Sequence, residues 1–507
     1  MTLTWNFLKD KYAGLKQTFN YIEKDPVELM EVKLVEDVVV INLFMKNIFL
    51  LILLFVCGLS FSQDDNKDKT YKKRVLESIE IDFLTSYYNQ EGSNASVTGG
   101  IGNEDLEDFS PTIVVSIPIN DDDIISLDLG ISTYTSASSS NGNPFDARTN
   151  SYETSSPWYA SSGASKVDTW KNLNVDYSHS SDDRNTIINA NFSSAKEWDY
   201  ESIGFGGGIT KLFNNKNTSV SLSTKIYLDK WIPIYPKELD AYIDSERNTD
   251  IGFFYNRTIF NQQGESSNQW SPVKDFELIN DKSRNTYSIS LLFSQILTKN
   301  TQLAFFIDLI KQDGWLANPL QRVYFSDIDN FYIGNPSSIS SYTSTLNKDV
   351  FHLADDIEKL PSTRIKVPIG MRFNYFLNEK LTLRTYYRYY YDDWGINSHT
   401  INLELPVKLS DNFTFYPSYR FYSQSKSDFF EPYDKLISTS KYYTSDYDLS
   451  KFNSNQLGFG LKYVDIFTKL KIWDLGLKSI NINYSNYERN SDFKSNILSV
   501  GLKFVID

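Results

Sequence analysis

His179-Ser180-Ser181 sets an imidazole beside two hydroxyls. Hydrolytic chemistry would need the imidazole within hydrogen-bond reach of a serine hydroxyl and a third group to orient the ring. The surrounding pattern puts His179 at a hairpin turn, where a strand-end histidine followed by turn serines is the plainer reading. Ser398-His399 follows Asp392-Asp393-Trp394, a polar and aromatic cluster that could hold a ligand at an external mouth. The same residues also read as turn carboxylates beside an interfacial tryptophan. Gly204-Phe205-Gly206-Gly207-Gly208 mimics a phosphate loop, but a phosphate loop needs a helix to follow. Here Ile209 to Leu212 continues a strand, so small lumen-facing residues or a barrel bend explain the glycines better. Asp121-Asp122-Asp123 lacks the spacing of a calcium loop and reads as a solvated turn. Three histidines, with the lone cysteine in a leader-like segment, give no transition-metal site, and no cofactor is expected.

The better lead is a set of cations. Arg364, Lys366, Arg372, Arg384, Arg388, Lys408 and Arg420 all take the polar phase of alternating segments. Glu80, Asp82 and Asp128 take the same phase nearer the start. If that phase faces a wet lumen, a basic wall stands across from an acidic one, as charge rows do in pores. The alternative is that these charges pair with one another, or with an infolded loop, and close the lumen.

The elements positioning them are strands. In 381–391 Leu381, Leu383, Thr385, Tyr387 and Tyr389 alternate with Thr382, Arg384, Tyr386, Arg388 and Tyr390. Successive strand side chains point to opposite faces, so each such run has an apolar and a polar face. Comparable runs lie near 75–88, 111–119, 123–134, 169–180, 184–194, 200–212, 217–229 and 284–298. The second half adds 301–311, 362–376, 379–391, 397–408, 412–424, 453–467, 475–487 and 495–506. About sixteen strands, an even number, suit a bacterial transmembrane barrel. Alternate links are short and rich in turn residues, such as Asn120-Asp121-Asp122 and Asn214-Asn215. The intervening links, 89–110, 135–168, 230–283, 312–361 and 425–452, are long. Short periplasmic turns and long external loops are the outer-membrane pattern. Trp170, Trp198, Trp231, Tyr389, Tyr391, Trp394 and Tyr422 fall near the outer strand ends, where an aromatic belt is expected. The terminal run Leu498 to Ile506 suits a closing strand that leaves no free edge.

Bulk composition agrees. A hydrophobic content of 41% and mean hydropathy of -0.38 are compatible with a membrane barrel, because only alternate residues meet lipid. A net charge of -14 argues against a nucleic-acid partner. Met45-Lys46-Asn47, the apolar run 48–59 and Ser60-Phe61-Ser62 read as a signal peptide, cut after Ser62. The run is shorter than the roughly 20 apolar residues of a membrane helix. Cys57 follows Val56, not the small residue that lipidation wants. Residues 1–44 then read as a misassigned N-terminal extension, 63–74 as a short periplasmic tail and 75–507 as the barrel. The tail is too short for a receptor plug or an N-terminal hatch.

Several segments resemble the outer-membrane family known as domain of unknown function (DUF3570). They are Ser162-Gly163-Ala164-Ser165, Val167-Asp168-Thr169-Trp170, Tyr389 to Gly395 with Ser398-His399-Thr400, and Tyr419 to Gln424. The resemblance spans most of 75–507. It implies an outer-membrane β-barrel with no established activity, and no catalytic residues to carry over. It also implies a redox setting, through family genes near those of thioredoxin-like and flavin-transferring periplasmic proteins.

The expectation is therefore an all-β transmembrane antiparallel barrel in the bacterial outer membrane, inserted by the barrel-assembly machinery. Its first expected role is a porin-like channel for small polar solutes, anions included, rather than an enzyme. The second is a non-conducting scaffold whose loops 230–283 and 312–361 take a protein partner. The third is an outer-membrane enzyme.

Overall fold

The computed structural model describes residues 74–135, 167–273, 276–344 and 350–506. The expected extension, leader with Cys57 and most of the tail lie outside the described residues, as does Ser162 to Ser165.

Sixteen long strands form one closed antiparallel barrel. The first eight are β1 (Ile79–Gly92), β2 (Leu106–Pro118), β3 (Asp123–Thr135), β4 (Val167–Ser180), β5 (Thr186–Lys196), β6 (Tyr200–Phe213), β7 (Thr218–Trp231) and β8 (Arg284–Thr298). Then come β9 (Thr301–Gly314), β10 (Thr363–Asn378), β11 (Leu381–Asp392), β12 (Asn397–Glu404), β13 (Phe413–Gln424), β14 (Phe452–Val464), β15 (Leu475–Arg489) and β16 (Phe493–Ile506). Each pairs with its sequence neighbours, and β16 returns to β1 in register from Ile79 opposite Ile506 to Gly92 opposite Phe493. Closure satisfies the backbone groups that hydrocarbon would leave unpaired.

Alternation makes the two faces. Ile203, Phe205 and Ile209 of β6, Leu222, Ile226 and Leu228 of β7, and Leu457, Phe459 and Leu461 of β14 are large, apolar and exposed. All share one phase, which is the outer face. Residues of the other phase line the lumen. Tight turns join strands on one side; Asn214, Asn215 and Lys216 hold left-handed φ values of 49°, 54° and 68° between β6 and β7. Asparagine tolerates that conformation better than most residues.

Several boundaries differ from the sequence reading, among them β2, which begins at Leu106 instead of 111, and β9, which runs on to Gly314. β1 begins and ends about four residues later, because Asn89 and Gln90 pair with Glu107 and Leu106 instead of turning. Polar residues are at home in a wall whose inner face is wet. β12 stops before Leu405-Pro406, and a short piece, Val407–Lys408, resumes pairing with β13. Pro406 has no N–H to continue a ladder. β14 ends at Val464, and 465–474 forms a longer turn.

The external links are the other half of the molecule. Residues 232–283, 315–362 and 425–451 carry a helix, α1 (Lys237–Asp244), and short extended pieces. These loops share a buried core of Leu239, Phe254, Trp270, Tyr324, Phe351 and Leu353, against which Tyr433 packs. Tyr332, Tyr342 and Val350 form an adjoining cluster that takes in Ile101 from the link 93–105. Four loops thus fold into one cap.

Candidate functional site in the lumen and its mouth

Strand register places the cations. Across β10 to β13 one lumen-facing row reads Gly370, Arg388, Thr400, Tyr422, and the next reads Arg372, Tyr386, Asn402, Arg420. Arg364, Lys366 and Arg384 face the lumen in the same phase, as does Lys408 from its short piece. Arg284, Lys462 and Arg489 join this wall; the sequence reading missed them, although their phase in the alternation was visible. Asp108, Asp128 and Asp176 face the lumen from β2, β3 and β4. In a ring of sixteen strands β2–β5 lie opposite β10–β13, so the two charge types face one another.

Pairing divides the arginines. Arg364 Nε donates to Asp392 Oδ2 at 2.9 Å, and Arg384 Nη1 donates to Glu404 Oε1 at 2.8 Å. Lys408 sits 2.9 Å from Asp411, and Arg489 2.6 Å from Asp448. Glu80 is held by Lys478 and Lys503, and Asp82 by Lys503. These groups are neutralised in place, so for Glu80 and Asp82 the contacts follow the alternative in which lumen charges pair with one another. Among the described residues no ion pair or hydrogen bond engages Arg372, Arg388 or Arg420. Arg388 Nε is buried without a partner. Arg372 lies 5.8 Å from the centroid of Tyr386, which stacks on Phe306 at 5.7 Å.

The expected mouth residues are a structural knot. Asp392 is fully buried and accepts from Arg364, from Tyr390 Oη at 2.8 Å and from the main-chain N–H groups of Trp394 and Ile396. The Trp394 indole donates to the Thr363 carbonyl at 3.0 Å, and its ring is capped by Arg364. Asp393 Oδ1 accepts from Ile365 N, tying the rim of β10. His399 is on the outer face, 2.9 Å from the Tyr387 hydroxyl, and not at the mouth. The aromatic belt is also revised. Tyr389 and Tyr391 point outward and Trp198 is exposed, but Trp170, Trp231 and Tyr422 share the lumen phase and Trp394 is buried. Trp170 and Trp231 flank Tyr200, with ring centroids 5.7 and 5.3 Å away.

His179 and Ser180 point to opposite faces of β4, as neighbours in a strand must. His179 Nδ1 lies 2.6 Å from Asp123 Oδ1, and the Ser181 hydroxyl donates to Asp183. Among the described residues no hydrogen bond joins a serine to the imidazole. Asp121 and Asp122 serve Arg74 and Arg184, as turn carboxylates do. The glycines 204, 206 and 208 face the lumen; a Cβ at Gly206 would lie 2.0 Å from the Asn191 amide oxygen.

Above the lumen, Arg322 holds the cap together. Its Nε and Nη2 donate to Glu238 of α1 at 2.8 and 3.1 Å, and Nη1 donates to the Val97 carbonyl at 2.9 Å. Both side chains are essentially inaccessible. Nearby, His352 is sandwiched between Tyr324 and Tyr332, with centroids 4.1 and 4.7 Å away, and its Nδ1 meets the Tyr433 hydroxyl at 2.6 Å. Burial pushes the His352 imidazole down to about 3. Burial pushes the carboxyls of Asp355 and Glu358 up to about 8, and that of Glu104 up to about 7.

The sequence profile described as "Protein of unknown function (DUF3570)" matches residues 51–498. The chain belongs to this family. No curated protein matches this DUF3570 chain by sequence. Among solved structures it is similar to a bacterial polysaccharide outer membrane secretin, at 9% identity and TM-score 0.40, covering 85% of this chain and 99% of that one. It is also similar to OprD of Pseudomonas aeruginosa, at 8% identity and TM-score 0.36, over 87% of this chain and 99% of that one. For opdK of the same organism the figures are 9% identity and TM-score 0.34, over 84% and 99%. The DUF3570 chain shares with them an all-β, closed antiparallel barrel fold.

Proposed function

We propose that this chain is a channel of the bacterial outer membrane for small polar solutes, with anions favoured. The observation that carries the reading is the divided lumen, with free guanidinium groups on β10, β11 and β13 and carboxylates on β2 to β4. Opposed charge rows set a field across the path, and free cations on one wall lower the barrier for anions. Lipid would cover the apolar outer face, and the barrel-assembly machinery would insert the chain.

The test is bilayer conductance of the chain from Gln63 onward, with reversal potentials in a salt gradient. Discrete steps with anion preference are expected, and the preference falls in Arg372→Ser/Arg388→Ser/Arg420→Ser. Silence in both the wild type and the cap-loosened Arg322→Ala overturns the reading.

One observation favours a second reading, a non-conducting scaffold. The cap spans the mouth through the Arg322–Val97 contact and presents folded loops 232–283 and 315–362 outward. A silent barrel that copurifies with one stoichiometric protein, lost when those loops are replaced, would favour it.

A further inference from the structure

We propose that Arg372, Arg388 and Arg420 form a saturable binding site for small organic solutes carrying two or more negative charges as carboxylate or phosphate groups. This rests on the channel reading and adds a substrate class to it.

The first argument is placement. With strands roughly 4.8 Å apart and roughly 3.3 Å per residue, the Cα atoms of Arg372 and Arg388 are about 8 Å apart, and those of Arg388 and Arg420 about 12 Å. Side chains as long as arginine's reach across that spacing to one solute. Among the described residues Thr400, Asn402, Tyr386 and Tyr422 lie between them on these two rows, which hold three positive charges; the nearest carboxylate, Glu404 on the next row, is engaged by Arg384. Gly370, beside Arg388 in the upper row, adds no side chain to crowd it.

The second argument is contrast. Arg364, Arg384 and Arg489, on the same stretch of wall, each have an acid partner. The neighbouring register therefore can supply counter-charges, and at these three positions it does not. Like charges grouped without compensation are unfavourable until an anion arrives.

The third is shape. A guanidinium offers a planar fork that fits carboxylate or phosphate oxygens in pairs. One singly charged anion would leave most of that capacity unused. The rings of Tyr386 and Tyr422 flank the fork and give the carbon body of a solute an apolar surface with a hydroxyl edge.

The experiment is titration calorimetry on the detergent-solubilised full barrel with citrate, glucose 6-phosphate and, as a neutral probe, glucose. Saturable binding of one or both anions is expected, and none of glucose; the two anions separate carboxylate from phosphate. Arg388→Ser and Arg420→Ser should each weaken binding by about 10–100-fold, the loss of a charge-assisted hydrogen-bonding group. Arg388→Lys should fall between. Lys225→Ser removes a lumen cation from β7 and should leave binding within about twofold. Absence of saturable binding, or equal weakening by Lys225→Ser, overturns the site. Conductance is read separately. A conducting barrel that binds neither anion sinks the site alone, and a silent barrel that binds them sinks the channel alone.

Discussion

Arg322, in the link between β9 and β10, donates to the main-chain carbonyl of Val97, in the link between β1 and β2. In a closed ring of sixteen strands those two hairpins stand on opposite sides. A direct hydrogen bond between their loops means that the link 315–362 crosses the mouth. The Arg322 ion pair with Glu238 brings in the β7–β8 link at the same point. One buried side chain therefore joins three loops over the lumen.

Removing that side chain should open the cap and leave the barrel intact. Breaking a buried ion pair from one side costs about 3–5 kcal/mol, because the remaining charge stays buried without a partner. Arg322→Ala should make the loops 232–283 and 315–362 accessible to chymotrypsin, while heat-modifiable migration on gels stays that of a folded barrel. Glu238→Gln should give the milder form of the same phenotype. Unchanged loop cleavage in both would contradict the bridging role.

The cap should also respond to pH. Asp355 and Glu358 have folded-state values near 8, above the ordinary carboxylate range, because burial penalises their charged forms. A carboxyl raised on folding stabilises the folded state while protonated, and that contribution is lost as pH rises toward the folded value. Each group thus removes about 1.4 kcal/mol per pH unit until its folded value is passed. His352 works in the opposite sense below its ordinary value, since its folded value is depressed to about 3. Between pH 6.5 and 8 only the acids act. The urea midpoint of the cap, followed by Trp270 fluorescence, should fall over that window, and Glu358→Gln should flatten the fall. A rise over the same window would exclude this account.

The barrel was legible because its code is local. Arg384 and Glu404 can be matched once the turn at 393–396 is located, since a hairpin fixes which residues face each other. The belt was misread where strand-end position was preferred to phase. Trp170 has the phase of Asn172, Asn174 and Asp176, and that alone assigns it to the lumen. The cap was not legible. Glu238 and Arg322 are 84 residues apart in irregular segments, with no period to show that they meet. The unpaired state of Arg372, Arg388 and Arg420 is likewise a property of register across four strands, and not of any one segment.

Two of the ion pairs of the basic wall, Arg364–Asp392 and Arg384–Glu404, should differ in worth. Asp392 is fully buried and holds Arg364 together with three other donors. Asp392→Ala should cost about 3–5 kcal/mol in urea unfolding from lipid vesicles. The Arg384–Glu404 pair is wetter, with side chains 51% and 29% exposed. Glu404→Gln should cost about 0–1 kcal/mol. Equal losses would mean that the lumen at Arg384 is as dry as the rim.

Gly370 offers a steric test of the same wall. A Cβ there would lie 2.3 Å from the Phe306 ring and 2.6 Å from the Tyr387 carbonyl oxygen. The second contact is main chain and cannot rotate away. Gly370→Ala should therefore shift the wall beside Arg388, at about 1–3 kcal/mol of stability. Gly458→Ala is the comparison. Its new methyl meets the Ser418 hydroxyl at 2.4 Å, but the nearest main-chain atom is 3.7 Å away. A serine can turn aside, so the loss there should be well under that of Gly370→Ala. The measurement is the pair of unfolding midpoints, and a larger loss at Gly458 would contradict the main-chain clash at Gly370.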